Sequence, residues 1–507
     1  MKKALCILFS LLLLLSLCAC GDSSTDSAND TAASTAESEQ TADQDSASTH
    51  DRPGDPPDGN GPGGTPPDGA PGGTPPDGAP GGTPPDGAPG GMPGGAPGSG
   101  SSADLAYSGA VEITSADSQS GQTYTSAASD ESALLISTAD AVSIENPSVT
   151  KTGDSDGGDN CNFYGLNAAV LVKDGTTTTI TGGTITSDAE GANGVFCYGG
   201  NGGQNGTAGD GTTLYISGTT ITTTGNGSGG IMTTGGGVTY ANDLTVETSG
   251  RSSAPIRTDR GGGTVIVDGG SYTSNGLGSP AIYSTAAITV SNATLTSNLS
   301  EGVCIEGLNS ITLLNCELTA NNTQRNGNAT FLDSIMIYQS MSGDAASGTS
   351  AFTMTGGSLT SKSGHVFHVT NTSAVITLQG VTIVNEDAEN ILLSVCADGW
   401  SGGSNTAVLR AIGQELEGAV KVGSDSALTL ELTNGSGFTG SIDGSIVNAS
   451  GTVVSTQVGT VSVTLDATST WTLTGDSYVT EFNGDAANVI ANGFTLYVNG
   501  TALSGTK

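Results

Sequence analysis

One spacing recurs through most of this chain and leaves few folds open to it. Two apolar residues stand two positions apart, and a third follows five positions after the second. Val142, Ile144 and Val149 fit it, as do Leu214, Ile216 and Ile221. So do Val265, Val267 and Tyr272; Ile288, Val290 and Leu295; and Ile311, Leu313 and Leu318. Phe352, Met354 and Leu359, then Ile376, Leu378 and Ile383, complete the series, while Ile180 and Ile185 fit with a threonine in the first slot. Where nothing intervenes, the last residue of the frame recurs every 23 to 26 positions, at Ile221, Val246, Tyr272, Leu295 and Leu318, and again from Leu359 to Ile383. A further apolar residue follows ten positions after nearly every anchor, such as Val195, Ile231, Ile256, Ile282, Ile305, Val369 and Leu393.

Alternation means strands with one buried face. Three short strands per repeat, separated by Gly, Asn and Asp turns, make one coil. A single coil cannot bury its own apolar face, so coils stack. At ~4.8 Å per strand, a dozen coils give a rod of roughly 60 Å. The expected fold is all-β: a right-handed parallel β-helix, a solenoid, over residues 104–460. A sandwich would not hold one frame through so many consecutive copies. Insertions are expected at about 152–164, 198–212 and 320–350. The aromatic segments around Trp471, Tyr478 and Tyr497 suggest a C-terminal β cap over 461–507, because an open solenoid end is an unpaired edge.

The first hundred residues read differently. Lys2, Lys3 and the run Leu5 to Leu17 form an export signal too short to span a bilayer dependably. Leu17-Cys18-Ala19-Cys20 resembles a bacterial lipobox. That resemblance implies cleavage after residue 19, diacylglycerol on Cys20 and palmitate-type acylation of the new terminus, hence a membrane anchor of two or three chains. Residues 20–52 form an acidic Ser/Thr-rich segment with too little apolar surface to fold, so a disordered linker is expected. Residues 53–103 carry Gly-Gly-Thr-Pro-Pro-Asp-Gly-Ala-Pro at 63–71, 72–80 and 81–89. This Pro/Gly repeat suits an extended stalk. Together they place the protein at the extracellular face of a cell membrane, and the stalk suits a Gram-positive wall.

Charge excludes some partners. With 13 Lys+Arg against 49 Asp+Glu, the net charge is -36, which repels nucleic acid and anionic lipid heads. Aromatic residues are only 4%, so the chain is not a Trp-rich sugar-binding module. Outside the export signal five cysteines remain, irregularly spaced, and they read as small buried hydrophobes.

Several residues are candidates for chemistry. Asp154, Asp156 and Asp159 lie on a Gly-rich loop and offer hard oxygen ligands, which makes calcium the candidate cofactor. Arg251, Arg257 and Arg260 concentrate cations in a chain starved of them and suit carboxylate or sulfate recognition. The competing reading is local pairing with Asp259. Tyr215 and Tyr283 should face outward and could stack on sugar rings. Hydroxyls flank the anchor residue in coil after coil, as in Thr184-Ile185-Thr186 and Thr294-Leu295-Thr296, and are expected to form a ladder on one flat face. A Thr-x-Thr ladder resembles that of ice-binding β-helices, although Glu247, Glu317 and Val384 interrupt it.

Enzymes of the pectin-lyase-like fold offer a test. The glycosidase pattern needs a double Asp, His-Gly and Arg-Ile-Lys, and none is present; Arg257-Thr-Asp259 and Gly364-His365 are the nearest strings. With only His50, His365 and His368, no Ser-His-Asp set is evident. Residues 104–500 resemble the β-helix surface lipoproteins of Gram-positive anaerobes, some described as adhesin-like or carbohydrate-binding. Thr470 to Thr480 is similar to autotransporter adhesin passengers. The resemblance implies a lipid-anchored, non-catalytic adhesin that binds polysaccharide or a host surface. A polysaccharide lyase or glycosidase, and a structural wall protein, are the alternatives.

Overall fold

The computed structural model describes residues 105–507 except 156 and 203–207. The expected export signal, acidic linker and Pro/Gly stalk lie outside the described residues. From Ser108 onward the chain winds into a parallel β-helix. A typical coil runs Val195–Tyr198, Thr213–Ser217 and Thr220–Thr223, and the next begins at Ile231–Thr234. Successive strands enter three different sheets, and each strand pairs in parallel with the strand one coil away. The first sheet has 13 strands, the second 14 and the third 10.

The repeat frame maps onto these sheets directly. Its last residue is the inward position of the third sheet. Tyr124, Val149, Ile185, Ile221, Val246, Tyr272, Leu295, Leu318, Leu359 and Ile383 are register partners in one unbroken ladder. Its first two residues form two inward ladders of the second sheet, for example Ile288↔Ile311↔Phe352↔Ile376. The residue ten positions on behaves less simply. Val195, Ile231, Ile256 and Ile282 share a ladder that continues through Val303, Ile335, Phe367 and Leu393. Ile305 and Val369 belong to the neighbouring inward ladder, partnering Ser284 and Ile337. A fixed count along the chain cannot follow the corner, whose length varies from coil to coil. All these ladders join one core cluster that runs from Ile113 to Leu496.

The corner between the second and third sheets shows why the coils stay in register. Three residues before each anchor, the chain turns through the left-handed region. The residue there is Asn146, Gly182, Gly218, Asp243, Gly269, Asn292, Asn315, Gly356 or Gly380, with φ between 48° and 73°. Only glycine, asparagine and aspartate adopt that conformation cheaply. The turns also stack: Asn146 N donates to Thr181 O, Gly182 N to Ser217 O and Gly218 N to Asn242 O, each at 2.7–3.0 Å.

The far end departs from the repeat. The third sheet stops at Thr382–Asn385, and Glu415–Glu417 opens a separate four-stranded parallel sheet. There Leu416, Phe438, Trp471 and Val489 form the inward ladder, with Phe438 and Trp471 stacked at 5.5 Å. Parallel pairing runs on past residue 460: Thr460–Leu465 pairs with Ser426–Thr433 on one side and Glu481–Asn483 on the other. Tyr478 stacks on Tyr497 at 5.1 Å, and Leu496–Val498 turns back antiparallel onto Thr501–Ala502. The 320–350 interval, expected as one insertion, is divided by a first-sheet strand, Asp333–Tyr338.

Candidate functional site

Insertions collect over one face. On the first sheet, the residues that alternation turns away from the core form a row: Leu135, Leu171, Phe196, Met232, Arg257, Tyr283, Cys304, Met336, His368, Ser394 and Lys421 are successive register partners. An outward row on an open sheet faces water. Most of this one is buried instead, because loops leaving the coils fold back across it. Phe163 and Tyr164, from the short helix Asn160–Tyr164, cover Leu171, Phe196 and Met232. Trp400 packs on Tyr338 over Cys304 and Met336. Phe331, Cys396 and Ile446 close a third apolar cluster.

Under the roof the polar groups are tied together. Tyr283 Oη donates to Glu306 Oε2 at 2.6 Å, Tyr338 Oη donates to the same oxygen at 3.1 Å, and the Ser340 hydroxyl donates to Glu306 Oε1. Arg257 Nη2 donates to Asp259 Oδ2 at 2.8 Å and its Nη1 to Asn162 Oδ1 at 3.1 Å. Arg260 Nη2 reaches Asp344 at 2.7 Å while its guanidinium lies 4.0 Å from the centre of the Phe163 ring. Arg251 Nη2 donates to Asn326 Oδ1 at 2.9 Å. The three arginines expected to meet a ligand therefore fasten insertion loops to the coils. Tyr283 does face outward from its strand, but it is half-buried against the Cys304, Met336 and Tyr338 cluster, and its hydroxyl donates to Glu306. Burial pushes the Asp259 carboxyl up to about 7 against the pull of Arg257. Burial also raises Glu306, opposed by its hydrogen bonds from Ser340 and the tyrosines.

Further along the row stands a group that the sequence did not reveal. His365 Nδ1 and His368 Nδ1 both lie against Ser394 Oγ, at 2.7 and 2.8 Å. His368 Nε2 faces Asp398 Oδ2 at 3.4 Å, with both side chains fully buried. The other Asp398 oxygen accepts from Thr330 N, Thr330 Oγ1 and Gly399 N at 2.6–2.8 Å. Burial works to raise the Asp398 carboxyl, but the hydrogen bond and charge of His368 with the Thr330 donors hold it below the usual range. Phe331 covers both imidazoles, its ring centre 4.7 Å from that of His368 and 5.4 Å from that of His365.

Serine, histidine and aspartate thus converge, but not as a hydrolytic triad. Ser394 is completely buried, so no substrate reaches its hydroxyl. His365 alone of the two rings borders a pocket of about 330 Å³, lined also by Glu389, Ile391, Ala419, Lys421, Ser445, Ile446 and Val447. Strict alternation would put His365 and His368 on opposite faces. They share a side because Val366 and Phe367 both enter the core as the chain rounds the corner. The available signal was that two of the chain's three histidines fall within four residues.

The remaining candidates lie elsewhere. Asp156 is outside the described residues. Asp154 Oδ1 accepts from Glu190 N at 2.8 Å, and Asp159 lies within electrostatic reach of Arg257, Arg260 and Asp344. Among the described residues no group of three His, Cys, Asp or Glu side chains is arranged to hold a metal. All five described cysteines are buried free thiols, Cys304 and Cys316 included. Tyr215 is exposed on the second sheet and stacks on Tyr240, its partner one coil on, at 4.9 Å and 7°.

The hydroxyls flanking the third-sheet anchors form two rows. One runs Thr123, Ser148, Thr184, Thr220, Thr245, Ser271, Thr294, Glu317, Ser358, Thr382. The other runs Thr125, Thr150, Thr186, Thr222, Glu247, Thr273, Thr296, Thr319, Thr360, Val384, and every member of both rows is exposed or half-buried. Comparison with protein-family models, with curated proteins and with solved structures finds no match to this chain.

Proposed function

We propose that this chain is a lipid-anchored surface protein, held at Cys20 and raised on its Pro/Gly segment, whose β-helix binds neutral polysaccharide without cleaving it. The observation that carries this reading is the character of the third-sheet face. In a protein of net charge -36, its two ten-strand rows hold hydroxyls with only Glu247 and Glu317 as charged members. An acidic polymer is repelled by the whole molecule unless cations intervene, whereas a neutral one meets no such barrier. Repeated hydroxyls at ~4.8 Å spacing offer a long polymer many weak hydrogen bonds at once. Tyr215 adds an exposed ring on the adjacent sheet for stacking against a sugar.

Full-length chain, released from membranes in detergent, is incubated with insoluble cellulose and chitin, with soluble pectin, and with calcium or EDTA. The reading expects retention by a neutral polymer, unaffected by EDTA, with polymer length unchanged. Shortened polymer marks a lyase or glycosidase, and retention by none of the polymers refutes polysaccharide binding. For the anchor, Cys20→Ala is expected to abolish lipid labelling; a labelled, membrane-bound variant overturns that part.

A further inference from the structure

Tyr215 and Tyr240 stack on the outer face of the second sheet, and the two ends of their stack meet different surroundings. Tyr240 lies against Tyr215 at 4.9 Å and 7°. Its own partner one coil on is Ile266, a branched side chain that closes that end. In the other direction the ladder runs from Tyr215 to Thr179, then to Ser143 and Ser118. Three coils of short side chains therefore lie beside the free face of the Tyr215 ring, which is 42% exposed. A tyrosine ring rises well above a threonine, so the ring forms a wall with Thr179 as the floor at its foot.

The floor is polar and carries little charge. Thr177, Thr179 and Thr181 are all exposed on one strand. Among the outward positions of Ala141–Glu145, Thr177–Thr181 and Thr213–Ser217, only Glu145 is charged. The floor coil then turns at Gly182 and Gly183, which bring no side chain to the corner, and presents Thr184 and Thr186 on the third sheet. Hydroxyls thus continue along one coil, from the foot of Tyr215 onto the face already proposed to meet polysaccharide.

We propose that the angle between the Tyr215 ring and Thr179 grips one neutral pyranose, and that the polymer then runs across the rod along this coil toward Thr184 and Thr186. This rests on the proposed binding of neutral polysaccharide and adds where the polymer is held and in which direction it lies. A pyranose with equatorial hydroxyls has carbon–hydrogen faces and a polar edge. The face matches the aromatic wall, and the edge matches the hydroxyl floor. A sugar laid on the free face of Tyr215 lies over the neighbouring coil, and bonds leaving in its plane follow the strand instead of crossing from coil to coil. Tyr240 backs the ring and fixes it before the ligand arrives, which lowers the ordering cost of binding. An acidic sugar meets Glu145 and the net charge of -36.

Full-length chain in detergent is titrated with cellohexaose, chitohexaose and the hexamer of galacturonic acid, all without calcium. At least one neutral oligomer is expected to bind more tightly than the acidic one; the reverse order overturns the neutral class. Tyr215→Ala should weaken neutral binding about tenfold, whereas Tyr215→Phe, which keeps the ring, should retain most of it. Thr179→Trp places the protein's own ring against the free face, so binding should be lost while the urea midpoint stays unchanged or rises. That pairing separates a blocked site from a damaged fold. Undiminished binding in both Tyr215→Ala and Thr179→Trp overturns the proposal, and retention of the chain by cellulose or chitin then leaves the polysaccharide reading standing without it. Oligomer binding that both variants abolish, with no polymer retained, upholds the site and removes that reading. Binding of neither oligomer nor polymer removes both. Self-association of the unaltered chain that Tyr215→Ala abolishes assigns the stack to a second copy and overturns the sugar site.

Discussion

The outward rows of the first and third sheets begin from the same geometry and end in opposite environments. Both are alternate positions on flat parallel strands with identical coil spacing. On the third sheet the rows are mostly threonine and serine, broken by Glu247, Glu317 and Val384, and meet solvent. On the first it is Phe196, Met232, Tyr283, Met336 and His368, and loops cover it. The difference lies in the corners. The turn into the third sheet is short and nearly invariant, with a left-handed residue three positions before each anchor and a second glycine beside it in some coils. The corners on either side of the first sheet absorb the long insertions, and several of those loops pack their apolar residues on the sheet beneath. A solenoid thus keeps one face regular by pushing its irregularity onto another.

The comparison can be broken most sharply by truncating matched outward residues. Phe196→Ala removes a fully buried ring from the first-sheet row and is expected to cost about 3–5 kcal/mol in urea unfolding. A loss below about 1 kcal/mol would mean that the roof does not seal that face in solution. Asn292→Val, at φ 55° in the short corner, should cost about 1–3 kcal/mol, and Asn292→Gly much less. Equal losses in the two variants would show that something other than the left-handed turn matters there.

Acidity sharpens the contrast, because the buried carboxyls belong to the roofed side. Burial raises Asp259 to about 7 and also raises Glu301, Glu306 and Asp333 above their ordinary values. An unfolded aspartate releases its proton near pH ~4. Between that pH and about 7, folded Asp259 holds a proton that the unfolded chain has lost. Stability is therefore expected to fall as pH rises through this window and to level off above it. Asp259→Asn should flatten that part of the slope; an unchanged pH profile would show that Asp259 stays ionised beside Arg257. The smallest effect is reserved for the open face. Thr186→Ala or Thr294→Ala should shift stability by no more than about 0.5 kcal/mol. Combined along a row, such changes are expected to reduce retention by neutral polysaccharide, and unchanged retention would remove the third sheet from the binding surface.

Much of the fold was legible because a stacked ladder demands the same residue type at the same place in every coil. The apolar frame, the strand count per coil and the Thr-x-Thr rows followed from that repetition. The left-handed position three residues before each anchor was equally legible in principle, since Gly, Asn or Asp stands there each time. Repetition stops at the insertions, and legibility stops with it. Pairing of Arg257 with Asp259 was among the readings the sequence offered, but the contacts of Arg257 with Asn162 and of Arg260 with Asp344 join residues far apart in sequence, and only the folded loops bring them near. Tyr283 read as solvent-facing because alternation gives a side chain's direction but not what lies beyond it.

The sequence by itself determined the coil: which residues point inward, where each turn falls and how the strands stack, all short-range consequences of strand periodicity and turn chemistry. The tertiary structure alone decided which outward face is covered and what meets there. Ser394, Asp398 and Thr330 join two histidines that rigid alternation would separate, because a corner sends Val366 and Phe367 together into the core and turns His365 back toward His368.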